Sequence, residues 1–363
     1  LKKFIISGGG TGGHIYPAIA IADEIKRRDA KHEVLFVGAE GKMEMEKVPK
    51  AGYRIVGLPI RGLQRSLSVA NLAMPFRLLA SLWQARQLLR QFGPHAVVGV
   101  GGYASGAVMQ VAAWAGIPIL IQEQNSYAGL TNKLLAKAAR KICVAYPHLE
   151  RFFPADKLVL CGNPVRGDLQ ELTSKRERAL AHFGLDAAKQ TLLVLGGSLG
   201  ARTLNECFQA GAAQVLAAGH QLIWQTGKGY LAQVRAAVAE QPGLYVSDFI
   251  YEMDLAYAAA DVVVSRAGAL SISELCLAGK AAILVPSPNV AEDHQTKNAL
   301  ALAGEGQKAA LLVRDADAGR ELVGTALRLL ADPAEQAQLA RQIRQLAKPQ
   351  AAKEIVDELF KLL

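Results

Sequence analysis

The chain reads as α/β: two Rossmann-like domains, each a parallel sheet with helices on both faces. Three observations predict this. Short, nearly continuous apolar runs recur along the chain with helical patterns between them, the signature of buried parallel strands. One such run near the start of each half leads directly into a glycine-rich loop and then a helix. The 363 residues are 51% hydrophobic but only 6% aromatic, a mix rich in Ala, Val, Leu and Ile that suits helices packed on a sheet.

In the first half the strand-like runs fall at 3–7, 33–37, 54–58, 96–100, 119–122, 141–145 and 158–161. A polar, charged stretch at 166–178 precedes the second half. Its runs lie at 191–195, 221–224, 262–265, 282–285 and 309–312, and a helical tail is expected from 333 to the end. The length suits two domains, joined near Gly162-Asn163-Pro164. Ligands of such sheets bind beyond the carboxyl ends of the strands, so a cleft between the two sheets is the expected active site.

The net charge of +9 favours anionic partners without choosing among them. Cys143, Cys161, Cys207 and Cys276 form no CxxC pair and have no histidine at metal-ligand spacing, which reads as a reducing cytosol. No signal peptide is visible. The longest apolar stretch, 107–121, is interrupted by Gln110, Gly116 and Pro118, so it predicts a helix followed by a strand rather than a membrane span. The expected protein is soluble or attached only to a membrane surface.

The first loop is Gly8-Gly9-Gly10-Thr11-Gly12-Gly13-His14. Its lack of bulky side chains lets backbone approach a ligand, and the following helix start attracts an anion. Gly8, Gly10 and Gly13 also fit GxGxxG, with Glu40 as a possible ribose ligand, so a nicotinamide-dependent oxidoreductase stays open. His14 stands where a neutral imidazole could take a proton from an acceptor hydroxyl, or could simply cap the helix. A second loop, Gly99 to Gly106, repeats the pattern and makes a phosphate pocket more credible.

The third loop runs from Gly196 to Ala201 and matches GxSxG at Ser198. A hydrolase elbow completed by Asp261 and His294 is one reading, and a diphosphate cradle the better one. In Arg266 to Glu274, Ser271 can cap the helix with Glu274 in a capping box, or Glu274 can chelate ribose hydroxyls. His294, Gln295 and Asn298 can read sugar hydroxyls or mark an exposed helix start. The segment 61–90 mixes Leu72, Met74, Phe76, Leu79, Leu82 and Trp83 with Arg61, Arg65, Arg77, Arg86 and Arg90. Lys133, Lys137, Arg140 and Lys141 lie later in the same domain. Apolar wedges ringed by cations suit docking on anionic lipid, and a core-facing helix is the alternative.

Taken together, the motifs resemble the lipid I N-acetylglucosaminyltransferases of peptidoglycan synthesis, of the glycosyltransferase family 28 type, over essentially the whole chain. The resemblance rests on GGGTGGHIYPA from Gly8, GVGGYASG from Gly99, EQNSYAGLTNK from Glu123 and GNPVR from Gly162. GGSLGAR from Gly196, SRAGALSISE from Ser265 and DHQTKNA from Asp293 complete it. It implies a GT-B fold, with an acceptor and membrane-docking domain at 1–162, a UDP-GlcNAc domain at 163–345 and a terminal helix at about 346–363 returning to the first domain.

The resemblance also implies an inverting hexosyl transfer from UDP-GlcNAc to the C4 hydroxyl of MurNAc in undecaprenyl-linked lipid I. It implies no cofactor and no metal, and the sequence reads as lacking an Asp-x-Asp metal motif near a strand end, in agreement with that. His14 would be the base. Thr11, Gly12, Gly13, His14, Asn125, Arg166, Ser198, Ile250, Arg266, Ala269, Leu270, Ser271, Glu274 and Gln295 would bind the donor. Gly10, Thr11, Gly101, Gly102 and Tyr103 would face the acceptor phosphates. Leu72, Phe76, Leu79, Trp83, Arg77 and Arg86 would dock on the anionic cytoplasmic face of a bacterial inner membrane, as a peripheral protein among cell-wall synthesis proteins and without nucleic acid. A related glycolipid glycosyltransferase is the nearest alternative.

Overall fold

The computed structural model describes all residues except 61–73, 166–168, 170, 198, 291–292 and 305–307, and the Met74 side chain. The chain divides into two compact units, Leu1–Val165 with Gln350–Leu363, and Arg166–Pro349.

In the first unit β1 (Lys3–Ser7), β2 (Glu33–Ala39), β3 (Arg54–Leu58), β4 (Ala96–Gly99), β5 (Ile119–Glu123), β6 (Lys141–Val144) and β7 (Leu158–Leu160) form one sheet. All pairings are parallel, in the order β3-β2-β1-β4-β5-β6-β7. Between them lie α1 (Gly12–Arg28), α2 (Glu44–Lys50), α3 (Met74–Phe92), α4 (Tyr103–Trp114) and α5 (Leu130–Leu135). Alternation along β1 shows why its centre, Phe4 to Ile6, is apolar. Phe4 and Ile6 enter one core with Ile15, Ile21 and Ile25 of α1, while Ile5 enters the other with Val108 and Met109 of α4. A strand buried on both faces has no polar side to show.

The second unit holds β8 (Thr191–Leu195), β9 (Gln221–Gln225), β10 (Leu244–Ser247), β11 (Val262–Ser265), β12 (Ala281–Leu284) and β13 (Leu311–Leu312). They pair in parallel in the order β10-β9-β8-β11-β12-β13. Its helices are α6 (Arg176–Phe183), α7 (Arg202–Ala217), α8 (Leu231–Ala237), α9 (Met253–Ala259), α10 (Ala269–Ala278), α11 (His294–Ala303), α12 (Ala318–Leu330) and α13 (Pro333–Gln345).

The expected strand at 282–285 starts one residue earlier, and that at 309–312 shortens to Leu311–Leu312. β10 has no counterpart in the sequence reading. It is an edge strand, half-buried along its length. The helical tail expected from 333 to the end consists of two helices. α13 ends at Gln345, and α14 (Ala351–Phe360) begins after Pro349, which cannot continue a helix. Ile355, Val356 and Leu359 of α14 join the Phe4 core of the first unit, and Arg28 pairs with Asp357 at 2.7 Å.

Beneath α14, His32 is buried between Phe4 and Phe360, and its Nδ1 accepts from the Lys2 N–H at 3.1 Å. Burial pushes its pKa below the ordinary histidine value, with Asp29 opposing. The unfolded chain therefore binds the proton more readily. The contribution to stability is full above about pH 6.5 and is lost as pH falls through the lower folded value. His32→Asn keeps an acceptor near that position but does not titrate. Urea unfolding at about pH 7.5 and about pH 5.5 should show a smaller acid loss in this variant than in the parent. Equal losses would clear His32 of the effect.

Candidate active site

The strand order of the first unit reverses between β1 and β4, and both strands end in glycine loops. Open α/β sheets bind ligands at such a switch point. His14 is the third residue of α1. Its Nδ1 lies 3.0 Å from the Gly9 carbonyl oxygen and 3.4 Å from Thr11 Oγ1. A carbonyl only accepts, so Nδ1 carries the proton and the neutral ring has its basic lone pair on Nε2.

The second loop closes on the first. Gly101 and Gly102 take φ of +97° and +90°. A Cβ at Gly102 would stand 2.6 Å from the Gly9 oxygen, and one at Gly101 would stand 2.9 Å from His14 Nε2. Only glycine lets these backbones and the imidazole meet. Gly10, Thr11, Gly12 and Gly13 thus share one loop system with Gly101 and Gly102, and Tyr103 opens α4 beside it, 56% exposed.

Asn125 follows β5. Its N–H and Nδ2 both donate to Glu123 Oε1, at 3.1 and 3.3 Å, and Glu123 Oε2 accepts from Gly129 N and Asn132 Nδ2, each at 2.9 Å. Glu123 is buried and organises the whole loop that presents Asn125. Sequence reasoning used the motif around it without finding this role.

In the second unit the order reverses between β8 and β11. Buried Gln225 ties two loops there, donating to the Gly197 oxygen at 3.0 Å and accepting the Ile250 N–H at 2.9 Å. Ile250 therefore stands at the loop after β10 with its N–H engaged. Arg266, just past β11, donates to Asp315 and to the carbonyls of Val285 at 3.1 Å and Pro286 at 3.3 Å. Gln295 on α11 accepts the Ser287 N–H at 2.9 Å. Ala269, Leu270 and Ser271 form the first turn of α10, whose amide groups lack intrahelical partners. One turn on, Glu274 accepts the Tyr257 hydroxyl at 3.2 Å. Ile250, Arg266, Ala269, Leu270, Ser271, Glu274 and Gln295 thus belong to one unit and to the carboxyl side of its sheet.

Three expectations are corrected. Ser271 does not cap α10. The N-cap is Gly268, and no side chain bonds there, so the capping-box reading of Ser271 and Glu274 falls. Asp261 precedes β11, bonding Thr191 N at 2.8 Å and pairing with Arg176, whereas His294 opens α11 at the other end of the sheet. No hydrolase triad can form from them. An Asp-x-Asp does follow β13, at Asp315-Ala316-Asp317. Its carboxylates are committed to Arg266, Arg314 and Arg320, and the described residues hold no group of three or more metal-type ligands. Arg166, Ser198 and Leu72 lie outside the described residues.

On α3, Phe76, Leu79 and Trp83 are 75%, 63% and 61% exposed, with Arg86 exposed and Arg77 half-buried. Leu82, Ala85 and Leu89 fill the core side, so the helix is apolar on both faces. Trp114, Leu130 and Leu134 on α4 and α5 are also exposed. No described helix is long and apolar enough to cross a membrane.

Two doubly wound parallel sheets, each with a glycine loop at its switch point, make up the GT-B fold. The chain belongs to glycosyltransferase family 28: the family's N-terminal domain matches residues 4–144 and its C-terminal domain matches 191–355. It is 56% identical to a Parabacteroides distasonis protein named UDP-N-acetylglucosamine–N-acetylmuramyl-(pentapeptide) pyrophosphoryl-undecaprenol N-acetylglucosamine transferase, over 99% of this chain and 98% of that one. A Porphyromonas gingivalis protein of the same name is 55% identical, over 99% and 96%. The crystal structure of Acinetobacter baumannii MurG aligns with a TM-score of 0.78 at 30% identity, covering 99% of this chain and 100% of that one. The chain is thus a glycosyltransferase, and the oxidoreductase and hydrolase readings are set aside.

Proposed function

We propose that this enzyme transfers GlcNAc from UDP-GlcNAc to the C4 hydroxyl of MurNAc in undecaprenyl-linked lipid I, with inversion, giving lipid II for peptidoglycan synthesis. Relatives bearing the corresponding name over nearly their whole length support the substrate pair. The observation that carries the chemistry is the His14 imidazole, held by the Gly9 carbonyl in the tautomer whose Nε2 accepts a proton.

In this reading Nε2 removes the C4 proton as that oxygen attacks the anomeric carbon, and UDP departs. UDP is a stable leaving group, so charge stabilisation replaces acid catalysis. The first turn of α10, at Ala269, Leu270 and Ser271, would receive the diphosphate with Arg166 and Ser198. Glu274 would take the ribose hydroxyls, Ile250 would meet uracil through its backbone near Arg266, and Gln295 and Asn125 would contact the sugars. Thr11, Gly12 and Gly13 would complete the donor site, while Gly10, Thr11, Gly101, Gly102 and Tyr103 would face the acceptor pyrophosphate. No metal or cofactor enters this scheme.

The test is transfer of labelled GlcNAc to a lipid I analogue in EDTA, with UDP-glucose as donor control and diacylglycerol as rival acceptor. EDTA-resistant transfer that prefers GlcNAc and lipid I supports every part of the reading. Transfer only to diacylglycerol would overturn the acceptor.

The exposed face of α3 would seat the enzyme peripherally on the anionic cytoplasmic face of the inner membrane, beside other cell-wall synthesis proteins. Burying each large apolar side chain in lipid is worth about 1.5–3 kcal/mol. Phe76→Ser with Trp83→Ser should therefore weaken binding to phosphatidylglycerol vesicles about tenfold or more, with UDP-GlcNAc affinity unchanged. Undiminished vesicle binding would remove α3 from docking.

A further inference from the structure

We propose that Glu44 is a positioning residue for His14, acting through the single peptide group between Gly9 and Gly10. The inference deepens the reading of His14 as base and rests on it. Glu44 opens α2 and is 1% exposed. Its Oε2 accepts the Gly10 N–H at 2.9 Å, and its Oε1 accepts the Ala39 N–H at 3.0 Å. The Gly9 carbonyl, the other half of the same peptide group, accepts from His14 Nδ1 at 3.0 Å. The N–H and C=O of a trans peptide point in opposite directions. Carboxylate, peptide and imidazole therefore form one chain of hydrogen bonds, with Glu44 and His14 on opposite sides of the peptide.

The loop is built around this chain. A Cβ at Gly9 would stand 2.1 Å from Glu44 Oε1, and one at Gly38 would stand 2.5 Å from its Cγ. The carboxylate thus fills a slot that two glycines leave open, one in the first loop and one in β2. Gly102 closes on the Gly9 carbonyl from the second loop. The peptide plane cannot turn without breaking the Glu44 bond or meeting Gly102.

Two consequences follow for His14. Orientation comes first: the Gly9 oxygen is held where it fixes the ring and keeps the proton on Nδ1. Polarisation comes second: an N–H bonded to a carboxylate makes the carbonyl of the same peptide a stronger acceptor, and hydrogen bonds in a chain reinforce one another. The stronger acceptor favours positive charge on the imidazole as Nε2 takes the substrate proton. Glu44 would then do through a peptide what a carboxylate does by direct contact in other histidine bases.

The experiment is a double-mutant cycle with Glu44→Gln and His14→Ala, reading kcat and both KM values for the lipid I analogue and UDP-GlcNAc. A glutamine offers one acceptor where two N–H groups need one each, and turns an NH2 toward the other. Glu44→Gln alone should lower kcat about 10- to 100-fold, leaving the UDP-GlcNAc KM within about twofold. In the His14→Ala background the same change should alter kcat by less than about twofold, because its target is gone. Equal losses in both backgrounds, or no loss in either, would overturn the proposal while the base reading stands. Should His14→Ala itself keep near-normal turnover, the base reading fails, and the inference falls with it. Glu44→Asp, too short to reach both Gly10 and Ala39, takes the same place in the cycle if Glu44→Gln is not recovered folded.

Discussion

His14→Ala is expected to lower turnover by about 100- to 10,000-fold, the range that a positioned general base supplies. UDP-GlcNAc affinity should stay within about twofold, because the proposed contacts to uracil, ribose and diphosphate belong to the second unit. The measurement is kcat at saturating lipid I analogue, beside calorimetric titration with UDP-GlcNAc. A fall in kcat without a rise in donor KM marks an interaction made in the transition state rather than in binding. Near-normal turnover would remove His14 from the role. Loss of donor affinity in parallel with kcat would make it a binding residue. The geometry favours the first outcome, since the Gly9 bond leaves the basic atom on the side of the ring that meets the Gly101 backbone.

How far the sequence exposed this arrangement depends on what kind of signal each part leaves. The central strands were legible because burial on both faces demands unbroken apolar runs. β1, β8 and β11 have the bounds their runs suggested. β10 is an edge strand with every residue half-buried, and its run, Leu244 to Val246, stands between Gly243 and Ser247. Glycine loops were legible as motifs, and His14 within one of them. The residues that hold those motifs in shape were not. Glu44, Gln225 and Asp315 lie 34, 28 and 49 positions from Gly10, Gly197 and Arg266, the groups they bond. Nothing in local spacing marks a carboxylate that will fold back beneath a loop. The capping-box pattern misled for a related reason: Gly268 fits the helix start by backbone alone, so Ser271 falls inside the first turn.

The second large effect is expected at Gly200, and it separates two roles a glycine can have. Gly200 and Gly219 sit in the same unit with φ of +80° and +84°. Alanine at either costs about 1–2 kcal/mol for the left-handed backbone. Their surroundings differ. A Cβ at Gly219 would meet nothing within 4 Å, whereas one at Gly200 would stand 2.2 Å from the Thr226 oxygen and 2.9 Å from the Tyr230 ring. Gly227, in turn, admits Gly200 so closely that its own Cβ would lie 2.4 Å from Gly200 N. The loop after β8 and the loop after β9 are therefore locked backbone to backbone, as Gly9 and Gly102 are in the first unit. Gly219→Ala should lower unfolding stability by about 1 kcal/mol and leave UDP-GlcNAc binding intact. Gly200→Ala should cost about 3 kcal/mol or more, and weaken UDP-GlcNAc about tenfold or more by moving the Gly197 carbonyl that Gln225 holds. Urea unfolding and calorimetry on the two variants give the comparison. Matching stability losses would show that the loops yield to a methyl group. Unchanged donor affinity in Gly200→Ala would place the nucleotide elsewhere than at this switch point. A difference confined to Gly200 assigns the excess to the loop contact, because the backbone penalty is common to both.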